Sequence, residues 1–380
     1  MSVEVRPVVT RRDIKEFIEL PFRLHATSPQ WIPPLRLERH AFLSRRVNAY
    51  FKHADAQLFL AYKDGRIAGR ISAQVDHAYN EFHSSRTGMF GFLETEDDPE
   101  VFLAMLSTAE AWLRRQGCDH MIGPMDFTMN DESGIVIEGH EREPMIRQPW
   151  HPPYYQRLCE DAGLEKAVDL LMWELEIGDR PSVRPAIFTM AERARERYGL
   201  TLRHMTRRSL RSDLDLFAEV YNAAWAGNWG FVPYSKEDLD AYALDLQLVF
   251  DPKWFQVVET AEGDVVGVAM SPLDVNQVLQ KMNGGLLPFG WFHYLNRQTV
   301  IDRIRVGFLG VKPEYQHTGA AAMLYVENYD RAVGAKQHWA EAGWILEHNS
   351  INKAMQALGG RVVKRYRVYE RPLLAAAVAP

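Results

Sequence analysis

V-G-F-L-G-V-K-P-E-Y-Q-H-T-G-A-A-A-M-L, residues 306–324, decides how this chain is read. An apolar strand ends at Lys312-Pro313, a tight loop follows, and a helix of small residues opens at Gly319-Ala320-Ala321. Such a loop is expected to leave the N–H groups of Gln316, His317, Thr318, Gly319, Ala320 and Ala321 unpaired at the amino end of a helix. Orphan donors and the helix dipole both favour an anion there, and small residues let a pyrophosphate come close to the backbone. The same letters also suit a plain strand-to-helix turn, so the surrounding chain has to arbitrate.

Working outward, the order of elements around this segment occurs twice. V-R-P-V-V-T-R-R-D-I (residues 5–14) returns as L-R-H-M-T-R-R-S-L (202–210), and L-F-L-A-Y-K-D-G-R-I-A-G (58–69) returns as Q-V-V-E-T-A-E-G-D-V-V-G (256–267). A third echo joins residues 162–173 to 359–369 at nearly the same offset. Three weak matches in one order at one spacing indicate an internal repeat. Each copy reads as an opening strand, helices, a hairpin with a polar-Gly turn, a fourth strand (88–93; 306–311), a helix (99–115; 320–333), a fifth strand (120–123; 338–344), a last helix and a closing strand. The expected division is 1–180 and 200–380, with Arg180-Pro-Ser-Val-Arg-Pro185 opening a linker helix over 181–199. Insertions differ between the copies, at 125–149 in the first and 273–297 in the second.

Composition narrows the function. The 380 residues are 47% hydrophobic and 25% charged, enough for two globular cores and unlike a disordered or coiled-coil chain. Lys plus Arg (44) fall short of Asp plus Glu (50), which disfavours general nucleic-acid binding. Two cysteines, Cys118 and Cys159, can build neither a disulfide framework nor a four-thiolate zinc site, and no H-E-x-x-H or G-x-S-x-G appears. No metal is expected. The start lacks a signal-peptide apolar region and no long apolar run occurs, so the expected location is the cytoplasm, with peripheral contact at the inner membrane face left open.

Gln316-x-x-Gly319-x-Ala321 after a strand resembles the acyl-CoA pyrophosphate loop of the GNAT (Gcn5-related) N-acyltransferases. Downstream, A-E-A-G-W-I-L-E, His348-Asn349, a helix and Gly359-Gly360 follow in the family's order. Trp31-Ile32-Pro33-Pro34-Leu35, Gly123-Pro124-Met125, Asn130-Asp131-Glu132 and Pro152-Pro153-Tyr154-Tyr155 resemble the YghO-like tandem group of bacteria, members of which have been linked to ceramide synthesis. The resemblance implies an α/β (α+β) fold of two tandem GNAT-like domains. Each has a mixed, mostly antiparallel sheet flanked by helices, with a splayed fourth and fifth strand. It implies acyl-CoA as co-substrate, the pyrophosphate on residues 316–321, and pantetheine along Leu309 and Val311 and against Asn349. It also implies an amine acceptor, lipid-like if the ceramide link carries over.

The first copy departs from the pattern. Thr95-Glu96-Asp97-Asp98-Pro99-Glu100 stands where the second has residues 316–321. Carboxylates there would repel a tetra-anionic cofactor, each by on the order of 1 kcal/mol in a watery setting, and instead suit helix capping. One acyl-CoA site is expected, in the second copy, and Gly319→Glu is expected to abolish CoA binding with the fold intact.

Acyl transfer from a thioester asks for alignment, a base for the amine and an acid for the leaving thiolate. The tyrosine that many GNAT enzymes carry about seven residues after the pantetheine asparagine is replaced by Gln356. Tyr366 is an alternative acid on the closing strand, where alternating aromatics equally suit packing. Glu341 on the splayed strand and Asp131 and Glu132 in the first insertion are base candidates; Asn-Asp-Glu-Ser-Gly is equally a good turn. The second insertion ends in G-G-L-L-P-F-G-W-F-H-Y-L-N-R (284–297), suited to lipid, to an acyl channel or to a plug between the domains. The basic run 361–371 reads as a strand with its charges on one solvated side, or as a surface for anionic lipid or the CoA 3′-phosphate. Three readings stay open: long-chain transfer to a hydrophobic amine, short-chain transfer to a polar one, and acyl-CoA binding without catalysis.

Overall fold

A computed structural model describes residues 2–180 and 183–373, apart from the side chains of Leu244, Asp245 and Leu248. Pro181 and Ser182 of the expected linker and the final seven positions of the expected second domain lie outside the described residues. The chain divides into two compact units. The first takes residues up to Leu170 together with Leu279–Trp291 and residues 364–373; the second takes Leu171–Val278 and Phe292–Val363.

The first half runs β1 (Glu4–Pro7), α1 (Arg11–Leu24), α2 (Arg36–Phe42), β2 (Ala54–Lys63), β3 (Arg66–Asp76), α3 (His77–His83), β4 (Thr87–Thr95), α4 (Pro99–Arg115), β5 (His120–Gly123), β6 (Ile135–Glu138), α5 (Tyr154–Asp161) and β7 (Glu165–Glu176). After α6 (Pro185–Tyr198) the order repeats with β8 (Thr201–His204), α7 (Leu210–Trp225), α8 (Lys236–Val249), β9 (Phe255–Glu259) and β10 (Val265–Met270). Three short helices α9 (Asn276–Met282), α10 (Gly290–Leu295) and α11 (Arg297–Val300) occupy the second insertion. Then come β11 (Arg303–Val306), β12 (Phe308–Val311), α12 (Ala320–Ala332), β13 (Trp339–Leu346), α13 (Ile351–Ala357) and β14 (Arg361–Pro372).

Within the first unit the strand order is β1-β2-β3-β4-β5-β14, with β6 also on β14. Every one of these pairings is antiparallel except β4 with β5. Helix α4 buries Val101, Phe102, Met105, Leu106, Ala109 and Leu113 into the core beneath β2 and β3. That is the i, i+4 stripe of an amphipathic helix. In the second unit β8, β9, β10 and β12 form an antiparallel four-stranded sheet. Its apolar face is closed by α12 and α6, whose Ala191, Ala194 and Ala320 let the helices approach closely. The architecture is the mixed, mostly antiparallel α/β fold expected from the sequence.

Candidate functional site: the divergence between β12 and β13

The fourth strand of the second copy, expected as one run over 306–311, is two strands with different partners. Residues Arg303–Val306 lie parallel to β13, register Arg303↔Trp339 through Val306↔Ala342. After Gly307, Phe308–Val311 turn to β10, register Met270↔Phe308 through Gly267↔Val311. No ladder joins β12 to β13 among the described pairings. A strand that leaves its neighbour in this way opens a cleft whose walls are backbone, the setting in which an amide-bearing chain such as pantetheine can complete a ladder.

At the end of β12 the expected open loop is tighter than the sequence suggests. Pro313 starts a 3-10 turn that runs to Thr318. Tyr315 N–H donates to Lys312 O at 2.9 Å, and the Thr318 hydroxyl donates to Tyr315 O at 2.6 Å. The same hydroxyl oxygen accepts the Ala320 N–H at 3.3 Å, so one expected orphan donor has a weak internal partner. Gly319 then adopts φ +92° and α12 begins with no side-chain cap at that position. A cluster of N–H groups at an uncapped helix start is an anion site in waiting. A Cβ on Gly319 would stand 2.5 Å from Met190 O of α6, in a backbone conformation that favours glycine. The expectation that Gly319→Glu leaves the fold intact is thereby corrected: any side chain there strains the turn and pushes on α6.

The remaining predicted residues fall into two groups. In the second unit, Val311 is buried and Leu309 half-buried, both packed into the core under β12. Gln316 reaches back to Val311 O, and the exposed His317 sets its ring edge-on to Tyr198. Asn349 stands just before α13, its Oδ1 accepting the Ile351 N–H at 3.0 Å. Glu341 is buried on β13 opposite Arg305 of β11. The Arg305 guanidinium lies 5.0 Å over the Trp344 ring and donates to Gly343 O. Gln356, at the family's usual acid position, is exposed on α13.

In the first unit, Asp131 accepts from the Thr128 hydroxyl at 2.8 Å and pairs with Arg147 at 3.0 Å. Burial raises its pKa against the pull of Arg147. Glu132 lies 3.6 Å from Arg39. Tyr366 is fully buried and its hydroxyl donates to Gln148 Oε1 at 3.2 Å. The reading of 361–371 as a solvated or lipid-binding basic face is corrected here. Lys364 is buried against Glu143 O and Gln148, Arg367 pairs with Asp169 at 2.8 Å, and Arg371 with Glu110 at 2.5 Å. These cations are internal links between β14 and its neighbours.

Sequence reasoning missed two features. The first is an aromatic wall on α7, α8 and the segment that joins them. Phe217, Tyr221, Trp225, Phe231, Tyr234 and Tyr242 pack in pairs with centroids 4.9–6.2 Å apart and reach Phe308 of β12. The Trp225 ring lies so near β12 that a Cβ at Gly310 would meet it at 2.1 Å. The i, i+4 spacing of Phe217, Tyr221 and Trp225 was the available signal.

The second missed feature is Asp126. Met125 N–H donates to Phe90 O (2.8 Å), Gln74 Nε2 to Met125 O (2.8 Å), and Phe92 N–H to Asp126 Oδ1 (2.6 Å). Because β4 and β5 pair only as far as Met89↔Ile122, residues 124–127 occupy the stretch of β4 that β5 leaves. In the first copy the chain that follows β5 thus lies along the part of β4 that β5 leaves, whereas no described ladder joins β12 to β13 in the second. Burial, aided by the Glu132 charge, pushes the Asp126 carboxyl up to about 8. Nearby, burial would raise Glu94, but His25, Arg70 and His151 outweigh it and hold Glu94 at about 2. Burial lowers His151 to about 4.

No family profile matches the chain. Two curated relatives match it along nearly its whole length. Protein YghO of Escherichia coli (strain K12) is 33% identical over 376 residues, 97% of this chain and 95% of that protein. Bacterial ceramide synthase of Caulobacter vibrioides (strain NA1000 / CB15N) is 35% identical over 386 residues, 98% of each. Among solved structures, a tandem GNAT protein from the clavulanic acid biosynthesis pathway superposes with a TM-score of 0.59 at 12% identity, covering 99% of this chain and 100% of its own. The chain belongs to the YghO-like tandem GNAT N-acyltransferases. A GCN5-related N-acetyltransferase from Sphaerobacter thermophilus shares the fold at TM-score 0.52 and 12% identity, over 98% and 96% of the two chains. Membership makes this an acyl-CoA-dependent N-acyltransferase. No helix among the described residues is long and apolar enough to cross a membrane.

Proposed function

We propose that this GNAT enzyme moves a long-chain acyl group from acyl-CoA to a lipid-like amine, of the sphingoid-base kind, at the cytoplasmic face of the inner membrane. In this reading residues 200–380 form the working half, 1–180 the half retired from CoA binding, and 181–199 the link. The observation that carries it is the contrast of clefts: open beside an uncapped helix in the second copy, filled by residues 124–127 in the first. The aromatic wall beside β12 supplies an apolar surface suited to a long chain, and the relative named bacterial ceramide synthase supports an amine of lipid type.

Residues 316–321 would hold the pyrophosphate and Leu309, Val311 and Asn349 the pantetheine arm. Glu341 is the base we assign. Its carboxylate takes the proton as the amine nitrogen bonds to the thioester carbonyl carbon, and the C–S bond then breaks to release CoA thiolate. Asp131, Glu132 and Tyr366 already hold partners in the first unit, and we assign them the support of that unit rather than proton transfer.

A thermal-shift series with CoA and acyl-CoAs from acetyl to stearoyl tests this. A ligand at about 100 times its Kd stabilises by roughly 2.7 kcal/mol, well within detection. A shift that grows with chain length supports a long-chain donor. A flat response with clear CoA binding favours a short-chain acetyltransferase on a polar amine, and no shift with any ligand sinks the acyl-CoA site.

A further inference from the structure

From Val275 to Ile301 the sequence contains no Asp or Glu, in a chain that has 50 of them, while it keeps Lys281, His293 and Arg297. Inside this acid-free stretch, residues 286–295 carry six of the large apolar side chains that the fold leaves exposed. Leu287 is 78% exposed, Phe289 75%, Leu295 63% and Phe292 56%, with Trp291 and Leu286 less so. Together they present an apolar surface on the order of several hundred Å², beyond the scattered single residues normal on a soluble protein.

These side chains are held, not loose. Met282 is buried at the end of α9, and Gly284 O accepts the Arg36 N–H while Arg36 Nη1 donates to Asn283 O, both at 3.2 Å. At the tip, Trp291 N–H donates to Leu286 O and its indole N–H to Pro288 O, each at 2.9 Å. On α10, Trp291 and Phe292 stand one turn from Leu295, so the three share a face. Among the described residues neither Lys281 nor Arg297 makes an ion pair, unlike the arginines of β14; the Arg297 guanidinium rests 4.5 Å over Tyr294.

A rigid apolar knuckle that carries a Trp, with cations beside it that make no ion pair and no carboxylate in its own sequence, is the pattern of an interfacial anchor. We infer that residues 286–295 insert into the headgroup boundary of an anionic lipid bilayer, with Lys281 and Arg297 at the phosphates. This deepens the proposed function, since it names the element through which a peripheral enzyme would meet its lipid amine. Its test needs no acyl-CoA, so the two can fail separately.

Full-length protein would be floated with vesicles of phosphatidylethanolamine and phosphatidylglycerol, and with phosphatidylcholine alone. The expected result is at least tenfold more binding to the anionic vesicles, weakened by salt. Leu287→Asp with Phe289→Asp should abolish it, and Lys281→Glu with Arg297→Glu should remove the anionic preference. All four positions lie outside the acyl-CoA site, so CoA thermal shifts should be unchanged, which also reports that the variants fold. Absence of vesicle binding by the unaltered protein, or undiminished binding by the aspartate pair, overturns the inference. So does self-association without vesicle binding, which would make the knuckle a contact between copies. Loss of long-chain acyl-CoA binding in place of vesicle binding would make it an acyl channel and overturn the inference equally.

Discussion

The two copies answer the same structural question in opposite ways. Both bring a fourth strand to the amino end of a helix. In the first copy Asp98 caps α4, accepting from the N–H groups of Glu100 and Val101, and Lys63 lies 2.5 Å from Asp98 and 2.9 Å from Glu100. Arg66 pairs with Glu96 and Arg157 with Asp97, so every carboxylate of that loop meets a cation, Asp98 and Glu100 sharing Lys63. In the second copy the equivalent turn ends in Gly319 with no cap and no carboxylate among Gln316 to Ala321. The parallel step beside it ends at Met89↔Ile122 in the first copy and at Val306↔Ala342 in the second. A repeat can therefore keep its fold while one copy fills the helix start with its own carboxylates and the other leaves it without any.

The sharpest way to break this contrast is at Glu341. Glu341→Gln should lower turnover by about a hundredfold or more, the usual scale of a lost general base. Acyl-CoA thermal shifts should persist, since the buried position opposite Arg305 keeps a polar group of the same shape. Wild-type turnover in the variant would return the base to the search.

Next in size is to write the first copy's chemistry into the second. Ala321→Glu places a carboxylate at the helix position that Glu100 holds in α4. Repulsion of a pyrophosphate a few ångströms away is on the order of 1–4 kcal/mol, so CoA affinity should fall at least about tenfold by calorimetric titration. The fold should tolerate the change because acids favour a first helical turn. Unchanged affinity would remove the loop from the CoA site. The reciprocal Asp98→Ala should cost about 1 kcal/mol as a lost cap and gain no CoA binding, because residues 124–127 still fill that cleft.

The filled cleft gives a pH signature. An unfolded aspartic acid ionises near 4, whereas burial and the Glu132 charge keep folded Asp126 protonated to about 8. Between those values the unfolded chain releases a proton that the folded one keeps, so this carboxyl makes the protein less stable as pH rises from about 4 to about 8. Asp126→Asn keeps the acceptor for Phe92 N–H and removes the titration. Its melting temperature should exceed the wild type's by a few degrees at pH 8 and match it near pH 4. Parallel pH profiles for the two proteins would contradict the assignment.

Local features were legible in the sequence. Helix α4 occupies Pro99–Arg115 as its pattern indicated, and the glycine at 319 marks the start of α12. What escaped depends on partners far along the chain. An apolar run such as 306–311 says strand, but not that the chain exchanges β13 for β10 at Gly307. Arg367 and Arg371 looked like a free basic face because Asp169 and Glu110 lie 198 and 261 residues earlier. Residues 125–127 read as part of an insertion, and only the early parting of β4 from β5 gives them, with Pro124, a stretch of β4 to lie along.

The smallest effect tests whether the open cleft is used as the comparison requires. Asn349 has two polar ends with different duties: its Oδ1 already accepts the Ile351 N–H and so supports α13. Only the amide nitrogen can then donate to a carbonyl of pantetheine. Asn349→Asp keeps the acceptor and deletes the donor, whereas Asn349→Ala deletes both. If the side chain serves the ligand, the aspartate variant should melt like the wild type yet bind CoA about fivefold more weakly, the worth of one hydrogen bond near 1 kcal/mol. The alanine variant should lose a comparable amount of stability as well. Should the aspartate variant bind CoA normally while alanine alone is destabilised, Asn349 is a cap and nothing more. The pantetheine would then be held by the backbone of β12 and β13, a cleft that selects its ligand by shape.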